Sequence, residues 1–392
     1  MKVILFDKKD KKLNMKKVVK VAIAVLVIAL IVTICILYSK NKNVRNFLDK
    51  YLFRKEAHEN NLPFIEIDPS KIVGLYAYDK YIVILEDGKV KIYNKLGKEE
   101  TEIDVEITSP IFESNGNNLI IAEKNGQKIY LINGKNISWQ KDIEGKIAAM
   151  NVNRNGYISL IIHGTSYKTV IKTYDPSGNE LFTKYLATAN VVDTDISNDN
   201  KYLAIAEANV SGIVVQSIIE IISIDAAKSN NGDSIKYTHV ANSGDLITNI
   251  EYQNKNQLVC MYDEHIDILH DDKNEELLNF KNENVLFGDI DFDSKVMKII
   301  KKSTGIFGSE SELQIVDTGS KFESKYEIES VPKDIKVKDN LIVVNLGTSA
   351  LFIKDTGWLL KKYESSHEIQ DILICDEMAG IVSKDKIELI TF

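Results

Sequence analysis

The chain is poor in cysteine, proline and histidine, with 3, 5 and 6 among 392 residues. Cys35, Cys260 and Cys375 form no CxxC or similar arrangement, so neither a zinc site nor a redox pair is signalled. No segment is rich in Gly, Ser or Pro, so no flexible linker divides the chain beyond its N-terminal region. The histidines are scattered. His265 and His270 in HIDILH face opposite sides of a strand and have no third partner at zinc-ligand spacing. No GxSxG, HExxH or P-loop occurs. Positive charge is also scarce, but only past residue 55. Residues 1–55 carry 14 Lys/Arg and 3 Asp/Glu, whereas the rest carries 35 and 54, a net of −19. So acidic a body repels phosphates, which argues against a nucleic-acid partner.

What is present begins with VAIAVLVIALIVTICILY, residues 21–38, an uncharged run. With Val18 and Val19 across a snorkelling Lys20 it reaches the roughly 20 residues that a bilayer requires. No polar face is available for a buried core helix to show to water. Ser39-Lys40-Asn41-Lys42 follows it, without an A-x-A cleavage pattern, and Ile34 precedes Cys35 where a lipoprotein signal needs a small residue. The reading is an uncleaved anchor over 18–38, with a basic tail at 1–17. Eight Lys precede the anchor and six Lys/Arg lie in 39–55, which favours a cytoplasmic N-terminus. Val44, Phe47, Leu48, Tyr51 and Leu52 recur at helical spacing in a basic juxtamembrane segment, 39–60. That segment is either a stalk helix docked on the body or a helix lying on anionic headgroups.

Residues 62–392 repeat. Apolar, β-branched runs begin at 80, 117, 156, 201, 256, 295, 340 and 379. They read as strands packed on both faces, and Cys260 and Cys375 are expected to be buried within them. Most are followed by strand, Gly turn and strand, as in TYDPSGNELFTKY. Gly97, Gly134, Gly178, Gly319 and Gly357 are expected at positive φ in these turns, with a longer version around Gly232 in the fourth repeat. A period near 40 with four strands per unit indicates a β-propeller. The expectation is all-β: eight four-stranded antiparallel blades, with seven as the alternative. The eighth unit stops at KDKIELITF, its third strand. The orphan segment LPFIEID supplies residues 64–68 as the missing fourth strand, which closes the ring and covers an exposed edge. Helix within the body is expected to be minimal.

DISNDNKYLAIAE (195–207) and YDPSGNELFTKY resemble the turns of WD40-like and quinoprotein-like repeat propellers. The anchor-plus-propeller layout and the Lys-, Ile- and Asn-rich usage are similar to uncharacterised envelope proteins of Gram-positive, clostridium-like bacteria. The resemblance implies the fold and leaves function open, because propellers bind, scaffold and catalyse.

GDIDFDSK places Asp289, Asp291 and Asp293 at alternate positions, but the interleaved Ile290 and Phe292 indicate a strand rather than a calcium loop. Asp291 aligns with Asp195, Asn151 and Glu251 in other repeats, which suggests a structural position. Trp139 and Trp358 read as outer-strand packing residues. Four long loops between second and third strands are the functional candidates. They hold His163, Tyr167, Val210, Ile213, Ile306, Phe307 and Ser349, taken as a partner-binding face. The functional expectation is a non-enzymatic binding or scaffold module at the cell membrane, single-pass, with the propeller outside. No catalytic, metal or cofactor residues are assigned. Its partners are the bilayer, through 18–38, and an envelope protein or glycan. The alternative is an enzyme or small-ligand sensor using the central channel, which a cluster of perturbed acids at a channel mouth would favour.

Overall fold

The computed structural model describes residues 15–40, 44–45, 48–52, 56–58, 62–209, 212, 214–229, 234–253, 257–270, 273–302 and 310–392. Two compact units divide at residue 56. The first contains a helix, Met15–Lys40, that extends the expected span by a few residues at both ends. Its stretch Lys20–Ser39 is long and apolar enough to cross a membrane, and none of it is buried. A single π-helical turn, Leu48–Leu52, follows, and the Tyr38 hydroxyl donates to Asp49 (2.8 Å). The rest of the expected stalk helix lies largely outside the described residues.

Eight antiparallel sheets make up the second unit, each a meander of four consecutive strands in all but two cases. We number the blades 1 to 8, over residues 72–104, 110–142, 146–186, 190–240, 247–279, 285–328, 334–364 and 371–391. Strands are called inner, second, third and outer from the axis. Blade 7 carries an extra edge strand, Glu56–His58. Blade 8 has only three strands from its own repeat; its outer strand is Phe64–Glu66. Phe64, Ile65 and Glu66 pair antiparallel with Glu388, Ile387 and Lys386. Two flanking bonds, Ile67 N to Asp385 O (3.0 Å) and Leu389 N to Pro63 O (2.8 Å), lengthen this seam. The expected closure therefore holds, with the paired strand ending at Glu66.

Because successive side chains in a strand point to opposite faces, each second strand serves two interfaces. Leu119 and Ile121 of blade 2 pack on Tyr81 and Val83 of blade 1, while Ile120 and Ala122 pack on Ile158 and Leu160 of blade 3. All these residues are less than a tenth exposed. The same arrangement recurs around the ring, so the core is eight apolar clusters, one per interface. Cys260 and Cys375 are buried thiols within two of them.

Most expected turn glycines adopt positive φ: Gly97 (71°), Gly134 (60°), Gly178 (80°) and Gly357 (76°). Gly319 does not. In that turn Lys321 takes the left-handed conformation instead (60°), after Asp317 has accepted the Gly319 and Ser320 amides. Gly232 lies outside the described residues. The turn before the outer strand also reaches the neighbouring blade. A Cβ on Gly178 would lie 2.9 Å from the Trp139 ring, and one on Gly357 3.3 Å from the Lys325 carbonyl. Trp139 packs as expected, whereas Trp358 sits in the turn before its outer strand and is about half exposed. One short helix, Ile224–Lys228, is capped by the Ser223 hydroxyl and carries Asp225 in its first turn. It was not evident from periodicity, being little over one turn long.

The seam yields a test. Ile65 is 4% exposed, and Ile65→Ala should cost about 2–5 kcal/mol. Chains lacking residues 56–69 should melt lower and scatter more light than chains that start at residue 45. Equal melting and equal solubility would mean that the seam is dispensable.

Candidate functional site: the axial channel and its rim

In an antiparallel meander the inner-to-second and third-to-outer turns lie on one face of the ring. The second-to-third loops and the blade-to-blade connectors lie on the other. We call these the turn face and the connector face. The inner strands surround an axial cavity of about 660 Å³ that opens at the turn face, and every blade contributes to its wall. A bulge interrupts the pairing near the start of the inner strand in blades 1, 3, 4, 5 and 6. An extra residue there strengthens the local twist and re-aims the side chains that follow.

Acidic side chains from blades 2, 4, 5 and 6 gather around half of the axis. Glu113 (blade 2), Asp193 and Asp195 (blade 4), Glu251 (blade 5) and Asp289 and Asp291 (blade 6) converge. Asp291 faces Glu113 across the full ring, and burial followed by that opposing charge pushes the Glu113 carboxyl up to about 8. Burial also lifts Asp193 to about 6, despite amide bonds from Ile250 and Thr194. Asp195 rises to about 7, from burial opposed by the Tyr252 amide. Asp289 rises to about 7, from burial and then Asp291. Glu251 is raised by burial, then by Asp195 and Asp291. Asp291 opens onto the cavity, yet protein walls it in around the axis, and that confinement raises it too. Tyr76 on blade 1 is pushed up by burial and by Glu113. On the other side, Lys336 of blade 7 lies 3.4 Å from Asp371 and 3.5 Å from Asp334. Burial works against its charge, and the two carboxylates outweigh it.

The sequence alignment of Asn151, Asp195, Glu251 and Asp291 therefore marks positions around the axis, the first three on inner strands and Asp291 two residues past the end of one. Asp195 fits the structural reading, since its carboxylate accepts the Tyr252 amide of the next blade and the Ile196 amide (2.7 Å). Glu251, Asn151 and Asp291 line the cavity. The strand expected through GDIDFDSK ends at Asp289, although Ile290 and Phe292 remain buried, at 0% and 4% exposed.

A collar of hydrogen bonds links the blades, each running from one blade to the next. The Tyr78 hydroxyl donates to Gly134 O, and Asn118 Nδ2 to Arg154 O (3.1 Å). Asn153 and Asn155 donate to Ser197 O (3.2 Å) and Asn198 O (3.0 Å), and Asn198 to Tyr252 O (3.2 Å). Gln253 Nε2 reaches Ile290 O and Lys295 O, both at 2.7 Å. Lys295 Nζ reaches Asp355 (2.6 Å), Lys336 pairs with Asp371, and the Asp376 amide closes the circle on Asp79 O (2.7 Å).

The expected partner face falls on the connector side. His163 ends a second strand and is exposed, its Nδ1 3.2 Å from Lys168 O. Tyr167 is 44% exposed and packs on Tyr185, 57% exposed, with ring centroids 4.7 Å apart. Ser349 opens the third strand of blade 7, paired with Glu364, so its loop is shorter than expected. Val210, Ile213, Ile306 and Phe307 lie outside the described residues.

The axial acids fix a pH dependence. Unfolded carboxyls titrate near about 4, whereas Asp193, Asp195, Asp289 and Glu113 are pushed up to between about 6 and about 8, and Glu251 and Asp291 are raised with them. The folded state holds the extra protons, so this contribution is complete below about pH 4 and is lost as pH rises to about 8. The melting temperature should fall from about pH 5 to about pH 8 at fixed ionic strength. The double variant Glu251→Gln, Asp291→Asn should flatten that slope. An unchanged slope in the variant would remove the axial acids as its cause.

Comparison with solved structures shows the fold. Sqt1 from Chaetomium thermophilum is 10% identical with a TM-score of 0.55, covering 85% of this chain and 99% of that one. The C-terminal WD40 domain of Sif2 is 11% identical at a TM-score of 0.54, covering 85% and 99%. BamB from Moraxella catarrhalis is 10% identical at 0.50, covering 84% and 98%. None of the curated proteins matches the chain. Residues 59–392, the whole ring with its closing strand, match a family described as a family of unknown function, DUF5711, and the chain belongs to it.

Proposed function

We propose that the protein is a membrane-anchored, single-pass, extracytoplasmic binding or scaffold module without catalytic activity. Its connector face would meet an envelope protein or glycan. The observation that carries this reading is the joining of an apolar helix with no buried residue, Lys20–Ser39, to a closed ring. Water is a poor solvent for such a helix, and lipid a good one. The Lys excess at the N-terminus supports N-inside, body outside. The exposed Tyr167–Tyr185 pair supports the connector face, since aromatic residues with polar tips are enriched at interfaces. The non-enzymatic reading is supported by the use of the inner-strand acids. Asp193 and Asp195 are engaged with backbone amides of their own and the next blade.

The raised acids along the axis favour a second reading, a small-ligand sensor or enzyme that uses the channel. Crosslinking on native membranes followed by affinity capture separates the two. Specific protein or glycan partners lost in Tyr167→Ala, Tyr185→Ala would support the first. A co-purifying small molecule without such partners would support the second. Both tyrosines are exposed, so the variant should melt within about 0.5 kcal/mol of the parent. For orientation, protease added to wall-stripped intact cells should degrade residues 60–392; full protection would overturn the topology.

A further inference from the structure

Arg154 is the one arginine between residues 57 and 392. It occupies the inner-to-second turn of blade 3, on the turn face, and it is exposed. Its main-chain oxygen belongs to the collar, but no hydrogen bond or ion pair of its guanidinium occurs among the described residues. The side chain passes Gly116 and lines two spaces at once: the mouth of the axial cavity and a second cavity of about 400 Å³ between blades 2 and 3. In a body of net charge −19, an arginine at a cavity wall is a conspicuous departure from the local charge pattern, and the acid that feels its charge is Asp376, which burial raises and Arg154 helps to lower.

The walls of the second cavity are mostly uncharged and polar. They comprise the side chains of Asn117, Asn118, Asn133, Asn155 and Ser138, with Pro176 and Leu131 as apolar surfaces. Asn118 is held in place: Asn133 Nδ2 donates to its Oδ1 (2.8 Å), and its own Nδ2 donates to Arg154 O. The same bond fixes the backbone that carries the guanidinium. Gly156 (φ 82°) keeps this corner open, since a Cβ there would lie 3.2 Å from Asn118 Oδ1 and 3.4 Å from Pro176. Asp376, on the wall shared with the axial cavity, is the acidic boundary.

Amides and hydroxyls offer both donors and acceptors, which matches an alcohol-rich molecule. A guanidinium presents parallel donors that match a planar or tetrahedral oxyanion, which a lysine cannot reproduce. The volume lies in the range of about 300–1,000 Å³ usual for small-ligand sites. We propose that this pocket binds a small polyhydroxylated molecule bearing a carboxylate or phosphate, such as an acidic sugar, with Arg154 as its anion clamp. The site is on the face opposite the proposed partner surface and does not depend on that surface.

The test uses the full chain in detergent micelles, titrated calorimetrically with glucuronate, glucose 6-phosphate and glucose at millimolar concentrations. One or both anions should bind, and glucose should bind at least about tenfold more weakly, as expected for loss of a charged hydrogen-bonded pair. Which anion binds identifies the carboxylate or the phosphate as the recognised group. Arg154→Gln should weaken that anion at least about tenfold at an unchanged melting temperature, and Arg154→Lys should fall between. Ser138→Trp, at an exposed position on the cavity wall, should block binding although Arg154 remains. Binding of glucose as tight as either anion, or no binding of any of the three, would overturn the proposal. So would undiminished anion binding by Arg154→Gln or by Ser138→Trp, which would place the anion elsewhere.

Discussion

Each sheet of this protein is apolar on both faces, and no sheet can bury both alone. That constraint organises the rest. A second strand such as Asn118–Glu123 has nowhere to put Leu119 and Ile121, or Ile120 and Ala122, unless a neighbour stands on either side. A row of such sheets would satisfy every member except the two at its ends. A ring satisfies all of them, which is why the short seam between Phe64–Glu66 and Lys386–Thr391 matters more than its three residue pairs suggest. It brings Ile65, Ile387 and Leu389 into the cluster shared by blades 8 and 1.

The polar groups follow from the same geometry. Eight inner strands meeting at an axis bring their side chains into a confined space. Neutral amides there can serve as links, and the collar uses Asn118, Asn153, Asn155, Asn198 and Gln253 in that way. Carboxylates in the same space oppose one another, and the ring relieves the opposition by retaining protons. The Glu113–Asp291 relation shows that this effect spans the axis rather than a single blade. Arg154 stands at the edge of this field, next to both spaces.

Much of the architecture was legible in the sequence because the second strands are apolar on both faces, a pattern that a single strand displays by itself. All eight positions, the absent fourth strand of the last repeat and most turn glycines could be read directly. The features that were missed depend on distance. The inner-strand bulges belong to the pairing of two strands and leave no mark in either one alone, and Ile224–Lys228 is too short to show a helical period, although Ser223 and Asp225 form a recognisable N-terminal signal. Lys321 takes the strained turn position that Gly319 was expected to hold because Asp317 organises the preceding amides. The alignment of Asn151, Asp195, Glu251 and Asp291 was visible, but their convergence appears only when blade 6 is set opposite blade 2. Arg154 gave no motif. Its one signal was being the sole arginine of an acidic body.

The composition of the last blade has a kinetic consequence. Phe64–Glu66 precedes every blade along the chain, and its partner Lys386–Thr391 follows all the others. Until that last strand is in place the early strand has no ladder, while blades 1 to 7 can dock one on another as an open arc. Contacts so distant along the chain form late and slowly. Before the ring closes, the arc exposes an apolar blade face at each end, a state in which arcs of two chains could complete each other. The final register, Ile65 on Ile387, is what converts that arc into a closed and self-sufficient ring.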